Sequence, residues 1–594
     1  MTMSRKRILL PLILSAFAIS CLKAKRSPFD VSSKSPASNL IIGRALTATN
    51  TVTSASSTSP PSNLTYSITA LQSKLIPGNT TVITPTFLGT VSSWTISPTT
   101  LPPGVTFDTK TGVITCSPPI GSPAFPLTNF IVTAINPGGN TSFTVPLQVL
   151  GSGENVWTVI NGVSGDNTVA GNNSMKFDPV TNSIYIAGYT KINLDGEPKP
   201  SAIGVFSGYL SKYDLDGNRK WTKIFGSNGS GGTTVSGLAL DSNGNIYIGG
   251  NSFPGTFDGL TFSAASGAGF IIKFDSSGNR LWTSSGSTSV NHTTGGIILD
   301  NAGNVVTAGA VYAPSINSVT NNSWSDQGLL LQKFNSNTGA YISTTLISAG
   351  TNRGIDGLAI DKDSSGNIFV AAGTRNASYC GDGSVNWRPA LFRFNSSMGY
   401  IACTGGLTTG SASSFPFGIT TSSTGESYIS GYVSNSLMYD SLPAQGLMDG
   451  FVTKFDINGT KLWSIRVGIS GAMTIVNAIA LQTASNPNKL YLAGRTSGNL
   501  GGTIQGTQDM FTAVYDPTNG TQPNTQTYWT RLQGAIGGAD TGWCVLSSPA
   551  TCANSIVFDS NSTLYSFGDT TGTISGITNP ATPNRSLFLV RNVQ

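Results

Sequence analysis

A strand-rich unit of about 60 residues recurs from residue 155 onward, and this repeat limits the possible folds more than any other feature. In the clearest copy, short runs rich in β-branched and aromatic residues occupy positions 221–226, 237–241, 244–250 and 269–275. Turn-forming residues separate these four runs. A unit of four short strands is too long for a solenoid repeat and is typical of one blade of a β-propeller.

The numbers of strands along the repeat predict how the propeller closes. The third strand of the unit, which reads Lys-Phe-Asp or a variant, occurs seven times, at 210–214, 271–275, 331–335, 391–395, 452–456, 512–516 and 587–591. The strand after it occurs six times, beginning at Trp221, Trp282, Tyr341, Tyr400, Trp463 and Trp529. A seventh copy precedes the first complete unit, around Trp157, and would be left with a bare edge in an open stack. The repeat therefore predicts a seven-bladed propeller over residues 155–594, closed by an N-terminal strand.

The most regular stretches of the repeat, residues 207–282 and 447–463, carry the patterns Gly-Asn-Ile-Tyr-Ile-x-Gly and Lys-Phe-Asp-x-x-Gly-Asn-x-x-Trp. These patterns resemble the SBBP family, a seven-bladed β-propeller repeat of exported bacterial proteins. The third and fourth units depart from the pattern, because Tyr341 and Tyr400 replace the tryptophan. The resemblance implies a fold and not a function.

Residues 63–151 predict a separate all-β module with short alternating strands. Its centre reads Leu-Pro-Pro-Gly-Val-Thr-Phe-Asp over 101–108 and Thr-Gly-Val-Ile-Thr-Cys over 111–116. This stretch resembles the He_PIG family of Ig-like domains, with Cys116 where that family has glycine. The resemblance implies an immunoglobulin-like β-sandwich that acts as a spacer or adhesive stalk.

The N-terminus has the features of an export signal. Arg5, Lys6 and Arg7 precede an apolar run over 8–20, which is too short to cross a bilayer and ends directly before Cys21. This arrangement resembles the signal of bacterial lipoproteins in its loose, spirochaetal form, with Ala18 where leucine is usual. We expect residues 1–20 to be removed and Cys21 to carry the lipid. The alternative is an ordinary secretory signal.

Residues 21–62 are rich in Ser, Thr, Ala and Pro and predict a tether. Six of the 33 basic residues lie within the first 26 positions, which hold no acid, so the rest of the chain has 27 basic and 27 acidic residues. A body with no net charge and no basic cluster is a poor binder of nucleic acid.

The cysteines after Cys21 allow two disulfides, each within one repeat unit. The candidate pairs are Cys380–Cys403 and Cys544–Cys552, which would leave Cys116 free. The alternative is that all of them are buried, reduced thiols.

Four aspartates are weak candidates for calcium ligands: Asp214, Asp216, Asp361 and Asp363. We favour a structural role, because Asp-x-x-Gly-Asn is first of all a hairpin turn. Apart from calcium, no cofactor is expected. The recurring tryptophans are expected to pack between blades. Three tryptophans outside that register, Trp324, Trp387 and Trp543, lie in loop-like contexts and are the candidates for a ligand-binding surface.

The sequence offers no recognisable catalytic constellation. His292 is the only histidine, so no triad or zinc site that needs several histidines can be built. We expect a monomeric lipoprotein at the outer membrane or cell surface, bound to the membrane through its lipid, that binds a protein or glycan through the loops at 189–207, 310–328, 374–389 and 497–509. The alternatives are an exported carbohydrate-active lyase or hydrolase that uses carboxylates in the propeller channel, and a periplasmic or secreted scaffold.

Overall fold

The structure is a computed structural model that describes residues 59–593. Within that range it leaves out 70–71, 164–166, 200–204, 230, 322–326, 349–353, 376–379, 381–385, 406, 410–412, 435–437, 484–487, 524–527, 537–550 and 582–583. The chain divides into two compact units, 1–54 and 55–594, and all described residues belong to the second. They form an all-β structure, and no helix among them is long and apolar enough to cross a membrane.

The first nine strands build one module. They are β1 (Ser62–Tyr66), β2 (Lys74–Leu75), β3 (Thr81–Ile83), β4 (Pro85–Leu88), β5 (Ser93–Ser97), β6 (Val105–Phe107), β7 (Ile114–Cys116), β8 (Phe125–Asn136) and β9 (Gly139–Val149). The sheets run β2-β9-β8-β5, β3-β7-β6 and β1-β4. One apolar core, which includes Trp94, Phe130 and the free thiol of Cys116, joins them.

The motif around Gly112 fixes the centre of this module. Gly112 has a φ of +73°, and a Cβ there would lie 2.6 Å from the indole of Trp94. Its carbonyl accepts a 2.6 Å hydrogen bond from the Tyr66 hydroxyl. Only glycine combines this backbone conformation with so close a ring.

The remaining strands form seven four-stranded antiparallel sheets and four small pairs. After β10 (Asn155–Asn161), sheet 1 contains β11 (Val169–Asp178), β12 (Ser183–Thr190), β13 (Ser207–Asp214) and β14 (Arg219–Phe225). Sheet 2 contains β15 (Thr233–Leu240), β16 (Ile246–Ser252), β19 (Ala268–Phe274) and β20 (Arg280–Ser284), with the pair β17 (Gly255–Phe257) and β18 (Leu260–Phe262) in its loop. Sheet 3 contains β21 (Gly296–Leu299), β22 (Val305–Val311), β25 (Gly328–Phe334) and β26 (Tyr341–Ile347), with the pair β23 (Ser315–Ile316) and β24 (Val319–Thr320).

Sheet 4 contains β27 (Ile355–Lys362), β28 (Ile368–Thr374), β29 (Arg388–Phe394) and β30 (Tyr400–Thr404). Sheet 5 contains β32 (Ser414–Thr421), β33 (Ser427–Ser434), β35 (Met448–Phe455) and β36 (Lys461–Val467), with the pair β31 (Thr408–Thr409) and β34 (Met438–Tyr439). Sheet 6 contains β37 (Thr474–Gln482), β38 (Lys489–Thr496), β39 (Asp509–Tyr515) and β40 (Thr530–Gln533). Sheet 7 contains β42 (Thr551–Phe558), β43 (Leu564–Thr570), β45 (Ser586–Asn592) and the early strand β10, beside the pair β41 (Ala535–Ile536) and β44 (Thr573–Ile574).

The first strands of successive sheets lie side by side, and those of sheets 7 and 1 are also neighbours. Two hydrogen bonds link these last two strands: the Met175 N–H donates to Ser555 Oγ at 3.2 Å, and the Asn554 amide donates to the Ala170 carbonyl at 3.2 Å. The leading strand β10 pairs with β45, with Val159 opposite Leu589. Residues of all seven first strands line one shared space, which we call the channel.

The seven sheets share two distinct ends. Each first strand begins at one end, which we call the loop end, where the long connections between second and third strands also lie. We call the opposite end the turn end, because the first and second strands, and the third and fourth, are joined there by short turns. The four loops expected from the sequence to carry function each connect a second to a third strand, and their described residues lie at the loop end.

At the turn end, the tryptophan of one sheet covers a glycine in the turn of the next. Trp282 Nε1 donates to the Ser336 carbonyl at 3.2 Å, and a Cβ on Gly339 would lie 2.8 Å from the same indole. The equivalent pairs are Trp157 with Gly217, Trp221 with Gly278, and Trp463 with Gly520. The packing role predicted for the recurring tryptophans is confirmed.

Trp529 differs from the other tryptophans because sheet 7 takes its fourth strand, β10, from earlier in the chain and has no third-to-fourth turn. Trp529 instead covers Gly153, in the connection that leads from the nine-stranded module into β10. The module therefore adjoins the turn end. Lys74 Nζ donates to the Val156 carbonyl at 3.0 Å, and Val593 packs in the small apolar cluster at this junction.

Candidate functional site

Of the residues that the sequence marks as binding candidates, the structure describes Trp387. Trp324 and Trp543 lie outside the described residues, as do Cys21 and Cys544. Trp387 ends the loop before β29 and lies half-buried at the loop end. Its ring packs against Phe415, with centroids 5.4 Å apart and planes inclined by 35°. The guanidinium of Arg375 lies 5.2 Å from its ring centroid.

Trp387 is the outermost of four aromatic rings that we call the aromatic strip. Phe415 lies 6.0 Å from Tyr432, and Tyr432 lies 5.6 Å from Phe417, with both pairs inclined by 34°. Each ring is thus turned only slightly from the next. The three inner rings come from β32 and β33 of sheet 5, and burial raises the pKa of the Tyr432 hydroxyl to about 12. Tyr432 is therefore a neutral hydroxyl at any physiological pH.

The inner part of the strip forms one wall of a cavity of about 440 Å³, which we call the mouth cavity. It opens among the starts of the first strands, at the loop end. Its lining residues are Val169, Ala170, Gly171, Asn172, Tyr189, Val235, Phe415, Phe417, Tyr432, Asn477, Arg495 and Asn554. Among the described residues of this lining there is no carboxylate, and the polar groups are three amides, two phenols and one guanidinium.

The polar wall of the mouth cavity is held by its own hydrogen bonds. The Asn477 amide donates to Asn554 Oδ1 at 3.2 Å, and the Asn554 amide donates to Asp569 Oδ1 at 3.3 Å. Asp569 also forms a buried 2.9 Å ion pair with Arg585. Burial raises the pKa of Asp569, although the positive charges of Arg585 and Arg495 oppose this effect. Arg495 donates to Gln508 Oε1 at 3.1 Å, which fixes the guanidinium in place.

The floor of the mouth cavity is an irregular segment of β11. In this strand Ala170 pairs with Gly188 and Met175 with Ile186, so three extra residues bulge out of the ladder. In five of the other first strands the corresponding irregularity contains one extra residue. We call the segment 171–174 the floor bulge.

Two side chains hold the floor bulge, one by hydrogen bonds within sheet 1 and the other by a hydrogen bond across the channel. Ser174 Oγ donates within the bulge and to sheet 1, with the Gly171 and Ala187 carbonyls as acceptors at 2.6 and 2.7 Å. Asn173, at a φ of +49°, donates its amide to the Phe417 carbonyl at 3.2 Å. Sheets 1 and 5 are not neighbours, so this bond crosses the channel axis. The side chain of Asn172 remains exposed on the mouth side.

A second cavity of about 360 Å³ lies below the floor bulge and is enclosed by the first strands of all seven sheets. Asp361, one of the calcium candidates, faces it. Its carboxylate accepts the Thr421 N–H at 2.7 Å and the Lys362 N–H at 2.9 Å. Burial raises the pKa of Asp361 and lowers that of Lys176, which shares the cavity, and each charge partly offsets the shift of the other. One carboxylate bonded to backbone N–H groups beside an ammonium is a poor cation site.

The other calcium candidates belong to turns. Asp214 Oδ1 accepts the backbone N–H groups of Asp216 and Asn218 at 3.1 and 2.8 Å, and Asp216 itself is exposed. Asp363 is buried and accepts both the backbone N–H and the amide of Asn367 at 2.8 Å. Within the described part of the chain, no group of three or more His, Cys, Asp or Glu residues could hold a metal ion.

Asp356 lies beside the aromatic strip near the start of β27. It stands opposite Gly373 in the ladder, and a Cβ on Gly373 would lie 3.1 Å from Phe415 and 3.3 Å from Trp387. Burial raises the pKa of Asp356 to about 6. His292, also at this end, donates from Nδ1 to the Val290 carbonyl and accepts the Gly269 N–H on Nε2. Burial lowers the pKa of His292 to about 4, so it is a neutral structural group.

The described cysteines include one disulfide in the propeller and one free thiol in the nine-stranded module. Cys380, in the loop before Trp387, forms a disulfide with Cys403 of β30, with Cα atoms 5.4 Å apart. The bond ties this loop to the edge of sheet 4. Cys116 is free and buried, and Cys552 lies in β42.

Sequence reasoning missed most of this site. Phe415, Phe417 and Tyr432 belong to no motif of the sequence, and the only signal of the floor bulge is Gly-Asn-Asn-Ser at 171–174, which is unusual within a strand. Trp387 was found because it lies outside the tryptophan register.

A family model described as "Beta-propeller repeat", SBBP, matches residues 220–252, which span β15, β16 and most of β14. The chain is a β-propeller repeat protein. No curated protein sequence matches it.

Solved structures resemble this β-propeller repeat protein only distantly. Hydrazine synthase from Kuenenia stuttgartiensis is 8% identical over 67% of this chain and 92% of its own, with a TM-score of 0.37. Trypanosoma rangeli sialidase is 10% identical, with coverages of 73% and 59% and a TM-score of 0.35. A polysaccharide lyase of family PL25, an ulvan lyase, is 11% identical, with coverages of 60% and 77% and a TM-score of 0.33. Similarity at this level carries no argument about function.

Proposed function

We propose that the protein is an exported lipoprotein that binds a partner through the loop end of a seven-bladed propeller. In this proposal Cys21 carries the lipid and anchors the chain to the outer membrane or cell surface. Residues 63–151 are an Ig-like spacer, and β10 closes residues 155–594 into one ring.

The arrangement of the sheets supports the seven-bladed ring. The seven sheets share one strand order, and the first strands of sheets 7 and 1 are joined by hydrogen bonds. Trp157 of β10 also covers Gly217 in the turn of sheet 1, as the tryptophans of other sheets cover the turns that follow them. In a closed ring β10 is paired with β45 as the fourth strand of sheet 7, and no leading strand is left without a partner sheet.

The observation that carries the binding function is the aromatic strip that leads into the mouth cavity. Large rings with few conformational freedoms, next to fixed polar groups, are typical of binding surfaces. The nine-stranded module, which precedes the propeller in the chain, adjoins the turn end. The loop end is therefore the end farther from this module. A lipid-anchored protein would present that end to a partner.

Export and anchoring are tested on intact cells by surface proteolysis and by mass analysis of the mature N-terminus. We expect a diacylated Cys21 and a protease-accessible propeller, and a Cys21→Ser variant that is released into the medium. An unmodified N-terminus, or a propeller protected until the outer membrane is broken, would overturn the surface-lipoprotein proposal.

Binding is tested with cells that display the wild type or Trp387→Ala, applied to surfaces coated with fibronectin, laminin or mucin. Tyr341→Ala is the matched control, because this exposed aromatic residue lies at the turn end. We expect adhesion to at least one coating to fall at least tenfold with Trp387→Ala and to persist with Tyr341→Ala. Equal adhesion by all three proteins, or none above uncoated plastic, would contradict binding through the loop end.

A second function, that of a carbohydrate-active hydrolase or lyase, is favoured by one observation. The pKa of Asp356, about 6, suits a general acid or base near neutral pH. In this reading Asp356→Asn abolishes the release of reducing ends or unsaturated products from a polysaccharide while adhesion persists. A wild-type protein that releases neither product from the polysaccharides it binds would end the enzyme proposal.

A further inference from the structure

The mouth cavity is closed at its inner end, and this property narrows the class of ligand. The Asn173 amide crosses the channel axis to the Phe417 carbonyl, and Ser174 fixes the same bulge to sheet 1. The bulge separates the mouth cavity from the lower one. A ligand that enters from the loop end must therefore stop at the floor bulge, so the cavity accepts the end of a chain and not its middle.

The chemistry of the lining indicates an uncharged ligand rich in hydroxyl groups. The described lining residues hold no carboxylate, and the guanidinium of Arg495 already donates to Gln508. A phosphate-bearing ligand would need more cations than this, and a lipid tail would leave the amides without partners. An amide offers both donors and an acceptor, as hydroxyl groups require. The exposed Asn172 presents such an amide at the floor.

The aromatic strip supplies the second requirement of sugar recognition. A pyranose ring has a face of C–H groups that packs on an aromatic ring, while its hydroxyls point outward in the ring plane to polar neighbours. Phe417 and Tyr432 line the cavity above the floor, and Phe415 continues the strip outward to Trp387. A cavity of about 440 Å³ has room for roughly one or two sugar rings.

A peptide fits this site less well. Extended peptides bind by pairing with a free sheet edge or by lying in a groove that is open at both ends. The strands that surround the mouth are first strands, each paired with the second strand of its own sheet and flanked by neighbouring sheets. The cavity they surround is closed at its floor.

We propose that the mouth cavity binds the terminal sugar of a neutral glycan, packed on Phe417 above Asn172, with the following units leaving over Phe415 and Trp387. This inference rests on the proposed binding function and names its ligand class. Trp387 and Asn172 then have separable roles, because Asn172 contacts the terminal unit and Trp387 contacts the units behind it.

The test uses the purified mature protein and saturation-transfer NMR with defined probes. The probes are the methyl glycosides of glucose, galactose, mannose and N-acetylglucosamine, and tetrasaccharides that end in each of these sugars. We expect saturable binding of at least one methyl glycoside and tighter binding of the matching tetrasaccharide. Methylation of every hydroxyl of the terminal sugar should abolish binding of that tetrasaccharide.

Variants assign the binding to the mouth cavity. Asn172→Trp fills the cavity from an exposed position that leaves the core intact, and should lower the affinity for both probes at least tenfold. Trp387→Ala should lower the affinity for the tetrasaccharide at least fivefold and leave that for the methyl glycoside unchanged. Tyr341→Ala, at the turn end, should change neither affinity.

Three outcomes would overturn the inference: binding of none of the eight probes, binding that Asn172→Trp leaves intact, or full binding of the end-methylated tetrasaccharide. The first outcome, combined with Trp387-dependent adhesion to a protein coating, would remove the glycan and leave the proposed binding function in place. If adhesion did not depend on Trp387 but the mouth cavity still bound a sugar saturably, the proposed adhesive function would fail and the sugar site would stand.

Discussion

The two ends of the propeller use the same strands in different ways. At the turn end, the same few residue types repeat from sheet to sheet, and Asp275 and Trp282 illustrate how their side chains bind within their own turn or cover the next one. At the loop end, the connections differ in length, the first strands are irregular, and the aromatic strip is built once. Where the sequence repeats, residues hold the sheets together, and where it does not, they form the surface that we propose binds a ligand.

Electrostatics follows the same division. Burial alone would raise the pKa of Asp275 at the turn end, but hydrogen bonds from Asn279 and from backbone N–H groups outweigh it and hold the pKa below its ordinary value. At the loop end, burial raises the pKa of Asp356 to about 6. The Asp275 carboxyl therefore stabilises the fold as an anion, whereas Asp356 weakens it when ionised.

The largest expected effect tests the structural role of the turn end. Trp282→Ala removes an indole that covers Gly339 and donates to Ser336, and should lower the free energy of unfolding by about 2 to 3 kcal/mol. Thermal and urea unfolding would measure this loss. The control is Tyr341→Ala in β26, the fourth strand of sheet 3, which is 40% exposed and should cost less than about 1 kcal/mol. The residue of this strand equivalent to Trp282 is Ser343, which pairs with Lys333 as Trp282 pairs with Lys273, so Tyr341 does not take the tryptophan's place. Similar losses of unfolding free energy for both variants would show that covering the turn glycine gives Trp282 no special role in stability.

An effect of similar size and opposite sign tests the electrostatic contrast. Asp356→Asn removes a carboxyl whose pKa is about 6 in the folded protein and 3.8 ordinarily, so its ionisation destabilises the fold increasingly between pH 3.8 and 6 and fully above pH 6. The variant should be more stable than the wild type by about 3 kcal/mol at pH 7.5, and this gain should shrink to less than about 1 kcal/mol at pH 4. Unfolding midpoints at the two pH values would measure the difference.

The turn-end counterpart of that variant should behave in the opposite way. Asp275→Asn replaces a carboxylate that accepts the Asn279 amide and the backbone N–H groups of Ser277 and Asn279. It should therefore lower stability at pH 7.5 and have less effect as the pH falls below 4, where the wild-type carboxyl itself becomes protonated. Shifts of the same sign in both variants at pH 7.5 would show that the two ends do not differ in this respect.

The smallest expected effect tests how the loop that carries Trp387 is held in place at the loop end. The disulfide Cys380–Cys403 ties the loop that carries Trp387 to β30. Cys380→Ser combined with Cys403→Ser should lower the affinity for the matching tetrasaccharide about threefold, because Trp387 must then be ordered on binding. The affinity for the methyl glycoside should stay the same. A drop in both affinities, or unfolding at room temperature, would instead assign the disulfide to the propeller core.

The sequence by itself determined the repeated part of this protein. The strands, the turns, the packing of the tryptophans and the fourth strand that precedes the first unit could all be read from residues 155–594. Each of these features depends on neighbours a few residues away or one repeat away, so each copy reports the same local requirement. Gly217, Gly278 and Gly339 illustrate this, because each meets a tryptophan from the preceding sheet.

Only the tertiary structure decided the mouth cavity. Asn173 and Phe417 are separated by 244 positions in the chain and by two sheets on the shorter way round, yet they are joined by a hydrogen bond across the channel. Neither belongs to a motif, and the contact exists only because the first strands of sheets 7 and 1 come together. Trp387 could be found from the sequence as a residue out of register, but the rings it stacks on and the floor beneath them follow from the arrangement of the sheets around the channel.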